Sequence, residues 1–178
     1  MTEDDRDDPQ PRAPRDTFDG TLFGEDQACF GCGPRHPTGF RLRFERLGDA
    51  VVTHFTPGED HQGPPNVMHG GLVTTLADEV AAWAVVGLLG RFGFTARIQC
   101  AFHRPVRIGV PVEARSWIEK DMRRLADVGV RLSQAEGPCL TGTFRFAMMD
   151  QAGAERLMGR PMDAAWQRFS RGRSGPRE

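Results

Sequence analysis

Residues 69–90 read HGGLVTTLADEVAAWAVVGLLG, and this stretch decides the fold. Two glycines after a histidine open it, apolar side chains then follow on nearly every face, and Asp78 and Glu79 are its only charges. A run of this length without an internal proline is a helix of about five turns. A helix apolar on most sides must be covered on most sides, so the rest of the chain is expected to wrap it.

The flanking segments have the period for that task. Before the helix, Phe40, Leu42 and Phe44 alternate with Arg41, Arg43 and Glu45, and after a Leu47-Gly48-Asp49 turn Val51, Thr53 and Phe55 continue the alternation. This predicts a hairpin of two half-buried strands, followed by a Pro- and Gly-rich loop over 57–68. After Gly90 and Gly93 come four candidate strands, marked by Ile98/Cys100/Phe102, Val110/Val112/Ala114, Val128/Val130/Leu132 and Leu140 to Met148. The connections at Arg104-Pro105, 120–124 and 136–138 are short enough for antiparallel neighbours. The expected fold is α+β: an antiparallel sheet of five to six strands, one face apolar, curled around the long helix.

The 178 residues leave room for one domain, read as 18–150. Residues 1–17, rich in Asp, Arg and Pro, are expected to be a disordered tail. Residues 151–178 are expected to form an amphipathic segment, with Met162, Ala165, Trp166 and Phe169 in one helix laid on the outside or on a partner subunit, and then a frayed end. A net charge of −1 provides no basic field for nucleic acid or an anionic membrane. The acidic N-terminus lacks the pattern of a signal peptide, and no run is expected to approach the roughly 18 apolar residues of a membrane span. Four scattered cysteines, at 29, 32, 100 and 139, suit a reducing compartment, so a cytoplasmic location is expected.

The segment CFGCGPRHPTG, residues 29–39, admits two readings. Cys29, Cys32 and His36 offer three closely spaced metal ligands, but a closed zinc site needs a fourth, and His61 would supply it only by assumption. Alternatively the cysteines and glycines let the chain turn tightly at a sheet edge. The second reading is preferred, and no metal is expected.

Chemistry is concentrated in the helix. At Gly70 and Gly71, free backbone N–H groups point outward with the positive end of the helix dipole, where a carbonyl oxygen gaining negative charge is stabilised. Asp78 and Glu79 lie among apolar neighbours, so at least one carboxylate needs a partner or a raised pKa. An ion pair with Arg97 or Arg104 is the structural explanation, better suited to Glu79 than to Asp78. Asp78 follows His69 by about 13 Å along the helix, too far for both to touch one substrate atom. Two copies related by a twofold axis, their helices antiparallel, would bring the glycine end of one to the acid of the other.

The stretches CFGCGPRHPTGFRLRF, HQGPPNVMHGGLVTTLADE and TARIQCAFHRPV, together with an acid nine residues after the HGG histidine, resemble the hotdog-fold acyl-CoA thioesterases of the PaaI-like group over residues 20–150. The resemblance implies that the backbone at His69 and Gly70 polarises a thioester carbonyl and that Asp78 of the partner subunit is general base or nucleophile. Glu79 is the second candidate acid. It further implies that Thr95 helps hold the attacking water, and that Gly71 together with Gln62 or Asn66 contacts substrate, since Gly63 stands where relatives often place an amide. No cofactor is implied, coenzyme A being part of the substrate. Its phosphates would be held by Arg104, Arg107, Arg123 or Arg124. The implied partners are acyl-CoA and a second copy of the chain, as homodimer or homotetramer. Two other readings are a hotdog hydratase or dehydratase and a non-catalytic acyl-CoA-binding module.

Overall fold

The computed structural model describes residues 16–173; the expectations for residues 1–15 and 174–178 lie outside the described residues. Helix α1 runs Gly70–Leu89, as its composition requires, and ends where Gly90 adopts the left-handed conformation (φ 61°). Around it, strands β1 (Thr17–Asp19), β2 (Arg43–Leu47), β3 (Ala50–Phe55), β4 (Phe92–Phe102), β5 (Val112–Met122), β6 (Leu125–Gln134) and β7 (Gly137–Met149) form one seven-stranded sheet in the order β1-β2-β3-β5-β6-β7-β4. Every pairing is antiparallel. The α+β architecture, a sheet wrapped around one long helix, is the one expected.

Its details differ from the expectation in places that matter. The seventh strand, β1, begins at Thr17, inside the stretch read as disordered. Three residues suffice because Phe18 is buried, with its ring stacked on Trp83 of α1. Phe40 and Leu42 precede β2 rather than belong to it. Their N–H groups bond the carbonyls of Phe30 and Gly31, so the alternation there records pairing to the cysteine segment. Strands β4 and β5 are not neighbours: the 103–111 connection leads from one sheet edge back across to β3, and β4 pairs with β7. Being an edge, β4 does not bury the face its alternation suggests. Phe94, Ile98 and Phe102 are 38%, 42% and 55% exposed.

The helix is gripped through small residues. Ala77, Ala81 and Ala84 are fully buried against the sheet, and a methyl at Gly87 would lie 2.4 Å from the Phe18 ring. Buried Ser116 of β5 donates to the Val80 carbonyl at 2.8 Å, satisfying its hydroxyl inside the core. By length and mean hydropathy α1 is apolar enough to cross a membrane, but 56% of that window is buried here beneath the sheet. The C-terminal segment forms two helices, α2 (Gln151–Met158) and α3 (Ala164–Arg173), instead of one. The left-handed Gly159 (φ 68°) divides them. They pack on their own chain, with Trp166 stacked on Phe23 at 5.1 Å and Phe169 edge-on to Phe18 at 5.5 Å.

Candidate active site

The helix start is built by the loop before it. His69 is the N-cap: its Nδ1 accepts from the Gly71 N–H at 3.0 Å, which places the ring proton on Nε2. Gly71 therefore spends its N–H on the cap and has none to offer a substrate. Gly70, ahead of it, is exposed, and among the described residues its N–H has no partner. Gln62 and Asn66 are committed to the loop: Gln62 Oε1 accepts from the Asn66 N–H at 2.7 Å, and Asn66 holds a left-handed backbone (φ 61°). A Cβ at Gly63 would sit 3.1 Å from the His69 Cα, so the loop closes on His69 at this position. Beside Gly70 lies a cleft of ≈ 410 Å³ bounded by Pro64, Met68, Val73, Phe102 and Arg104.

The two helix acids diverge. Asp78 is half-buried, and Thr95 Oγ1 donates to its Oδ1 at 2.7 Å. Thr95 reaches it from the start of β4, where the ladder with β7 shifts register between Thr95 and Arg97. Such a bulge re-aims a side chain. Burial pushes the Asp78 carboxyl up and the Thr95 hydrogen bond pulls part of that back. Glu79 turns the other way, toward the cysteine segment. Trp83 Nε1 donates to its Oε1 at 3.1 Å, and Cys29 Sγ lies 3.6 Å from the same oxygen. The ion pair expected for Glu79 is not formed: Arg97 bonds Gln99, Arg104 bonds the Glu136 carbonyl, and no described cation pairs with this carboxylate. Burial, together with charge on Cys29, pushes Glu79 up to about 7. Cys29, receiving hydrogen bonds from the Cys32 side chain and from the Cys32 and Gly31 backbone, is lowered to about 5, and Cys32 is raised as the donor.

The two histidines that the less favoured metal reading would need are not at the cysteines. His36 Nδ1 accepts from the Thr38 N–H at 3.3 Å, and His61 Nδ1 accepts from the Gly58 N–H at 3.0 Å. In their place Glu79 joins Cys29 and Cys32, the three ligand atoms all lying within 4.8 Å of one another. The candidate phosphate arginines divide between the helix ends. Arg104 and Arg107 lie near its start, where the Met68 N–H bonds the Val106 carbonyl, while Arg123 and Arg124 form the β5–β6 turn, whose Arg123 carbonyl bonds Arg91 just past its end.

The sheet wrapped on a single buried helix defines the hotdog class of fold. Residues 65–141, from the loop before α1 to the start of β7, match the family model of the thioesterase superfamily. In structure the chain is similar to a thioesterase superfamily protein (24% identity, TM-score 0.61, 69% of this chain and 60% of that one). It is also similar to a thioesterase from Haemophilus influenzae (21%, 0.57, 62% and 80%). A hypothetical thioesterase from Streptococcus pneumoniae, crystallised with coenzyme A, is a third (19%, 0.57, 61% and 85%). The chain thus spans about three fifths of the first of these structures. At such identities the likeness is one of fold. No curated protein matches the chain in sequence. The family match covers Gly70, Asp78 and Thr95 together.

Proposed function

We propose that the protein hydrolyses an acyl-coenzyme A thioester, with Asp78 as the base and the Gly70 N–H as the electrophilic contact. The observation that carries this reading is the Thr95–Asp78 pair. A carboxylate held at Oδ1 and set in half-buried surroundings keeps Oδ2 for a water molecule, and its raised pKa strengthens it as a proton acceptor. The thioester oxygen is placed on Gly70 N–H, at the positive end of α1. Asp78 takes a proton from water, the hydroxide oxygen bonds to the carbonyl carbon, and the negative charge that develops on the carbonyl oxygen is stabilised by that N–H. Collapse of the tetrahedral intermediate breaks the C–S bond. The thiolate leaves and, with the proton that Asp78 releases, yields free acid and free thiol.

Gly70 and Asp78 of one chain are about 12 Å apart on helix geometry, so the reading includes a homodimer with composite sites. Support comes from β4: eleven residues long, it has a described neighbour only in β7 and exposes Phe94, Ile98 and Phe102. An unpaired apolar edge is a template for another strand, and Phe102 comes within 4.0 Å of the position a Gly70 Cβ would take. Pairing there places the edge, the Gly70 cleft and Thr95 on one interface. The coenzyme A in the pneumococcal crystal supports a substrate of that class.

The test is release of free thiol from a panel of acyl-CoA thioesters by wild type, Asp78→Asn and Glu79→Gln. Turnover lost in Asp78→Asn and kept in Glu79→Gln supports the reading. Tight binding without release by the wild type would replace it with a binding module.

A further inference from the structure

We propose that Cys29, Cys32 and Glu79 form a metal site that takes one divalent transition ion, zinc foremost, with a fourth position open to the cavity beside α1. The proposal is independent of the thioesterase reading, and it departs from the expectation of a metal-free turn because the third donor is Glu79 rather than a histidine.

The local sequence is Cys-Phe-Gly-Cys-Gly, and it folds back on itself, the Gly33 N–H closing the turn on the Cys29 carbonyl at 2.9 Å. The turn brings Cys29 Sγ and Cys32 Sγ within 4.8 Å of each other and of a Glu79 carboxylate oxygen. The turn is fixed from behind, where Phe40 and Leu42 donate to the Phe30 and Gly31 carbonyls at 2.8 and 2.9 Å. Gly31 is required at its position: a Cβ there would lie 2.3 Å from Glu79 Cδ, so only glycine lets the carboxylate reach the sulfurs.

The spacing fits a tetrahedral ion. With Zn–S of about 2.3 Å and Zn–O of about 2.0–2.2 Å, neighbouring ligand atoms stand about 3.6–3.8 Å apart. Cys29 Sγ lies 3.6 and 3.8 Å from the two Glu79 oxygens. The supporting contacts are also in place. Trp83 Nε1 orients the carboxylate at 3.1 Å, and Gln27 spans the turn, accepting from the Cys29 N–H at 2.8 Å and lying 3.8 Å from Cys32 Sγ. Three potentially anionic groups meet with no described cation paired to them, since the one arginine lining the cavity, Arg160, donates to the Phe23 carbonyl. A divalent ion takes all three as ligands. Thiolate donors select zinc over calcium or magnesium. The fourth position faces a cavity of ≈ 330 Å³ lined by Ala82, Val86, Phe94, Thr95, Phe146 and Met158, large enough for a water or a small ligand.

The experiment uses the full chain, reduced, stripped with chelator and titrated with Zn²⁺ and with Co²⁺. Wild type is expected to bind about one ion per chain. The cobalt form should show thiolate-to-metal charge transfer and the intense d–d bands of a tetrahedral centre, and zinc should raise the melting temperature. Cys29→Ser and Cys32→Ser are expected to abolish the charge-transfer bands, and Glu79→Gln to weaken binding. Trp83→Phe, which leaves the ligands and removes the orienting bond, should weaken binding about tenfold. Cys139→Ser, distant from the cluster, should bind as wild type. The proposal is overturned if the cobalt form of wild type shows no thiolate bands, or if Zn²⁺ binds equally to the cysteine variants. It is overturned equally if Cys29 and Cys32 titrate as a disulfide in freshly purified protein and, after reduction, take up no metal.

Discussion

Replacing Thr95 with Val keeps the β-branched shape that suits β4 and removes only the hydroxyl that donates to Asp78 Oδ1 at 2.7 Å. A hydrogen bond to a charged acceptor contributes about 1.5–3 kcal/mol. Asp78 is half-buried, so water recovers part of this and the lower end applies, about 1.4 kcal/mol or tenfold in the ionisation constant. The sign follows from which form is bonded. The hydroxyl favours the carboxylate, so its loss favours the protonated acid and pushes further up a group that burial already raises. The assay is kcat/KM for thioester hydrolysis against pH. In Thr95→Val the acid limb moves to higher pH, activity falls about fivefold where wild type is half-ionised and about tenfold well below that pH, and the two profiles converge at high pH. A carboxyl titration by NMR on the same proteins should move in step. An acid limb that superposes on the wild-type one would refute the role given to this hydrogen bond.

Other outcomes follow from the same contacts. Asp78→Asn removes a half-buried carboxylate whose folded pKa is raised, a group whose stabilising contribution is complete in acid and lost as pH rises through that pKa. The variant should therefore gain on wild type in denaturant midpoint at neutral pH, and the gain should shrink toward about pH 4. Gly87→Ala gains about 1 kcal/mol of helix propensity but sets a methyl 2.4 Å from a Phe18 ring held between Trp83, Phe44 and Phe169. Overpacking costs about 1–3 kcal/mol, so a lower melting temperature is expected, and a rise would show that Phe18 yields freely. Ile98→Lys on the exposed face of β4 should shift the sedimentation coefficient from dimer to monomer and remove turnover, while circular dichroism stays native.

How much of this was legible in the sequence depends on whether the signal was local. The run at 69–90 carries its own helix, caps and buried acids, and Gly70 and Asp78 are visible there without any partner. Strand alternation was legible too, but pairing was not. The short step at Arg104-Pro105 suggested that β4 and β5 are neighbours, whereas the helix crossing beneath the sheet delivers β4 to the far edge. Alternation likewise predicts which residues share a face but not whether that face is covered, which is why Ile98 and Phe102 were expected inside. For Glu79 the sequence offers Arg97 and Arg104 as ion-pair partners. Its actual neighbours, Cys29 and Cys32, lie about fifty residues earlier and meet it only in the folded chain. The single local hint was the glycine between those cysteines, whose missing side chain leaves room for the carboxylate.

The central claim is that Gly70 of one chain works with Asp78 of another, and mixing two inactive variants tests it most directly. Gly70→Pro removes the one N–H at a helix position that tolerates proline, and His69 already has the backbone that proline demands of its predecessor (φ −59°, ψ 130°). Asp78→Asn removes the base. Unfolded together and refolded, the two should yield mixed dimers with one intact composite site each, restoring about a quarter of wild-type thiol release from a pair that has almost none separately. A mixture that contains verified mixed dimers and remains as inactive as its components would contradict the account.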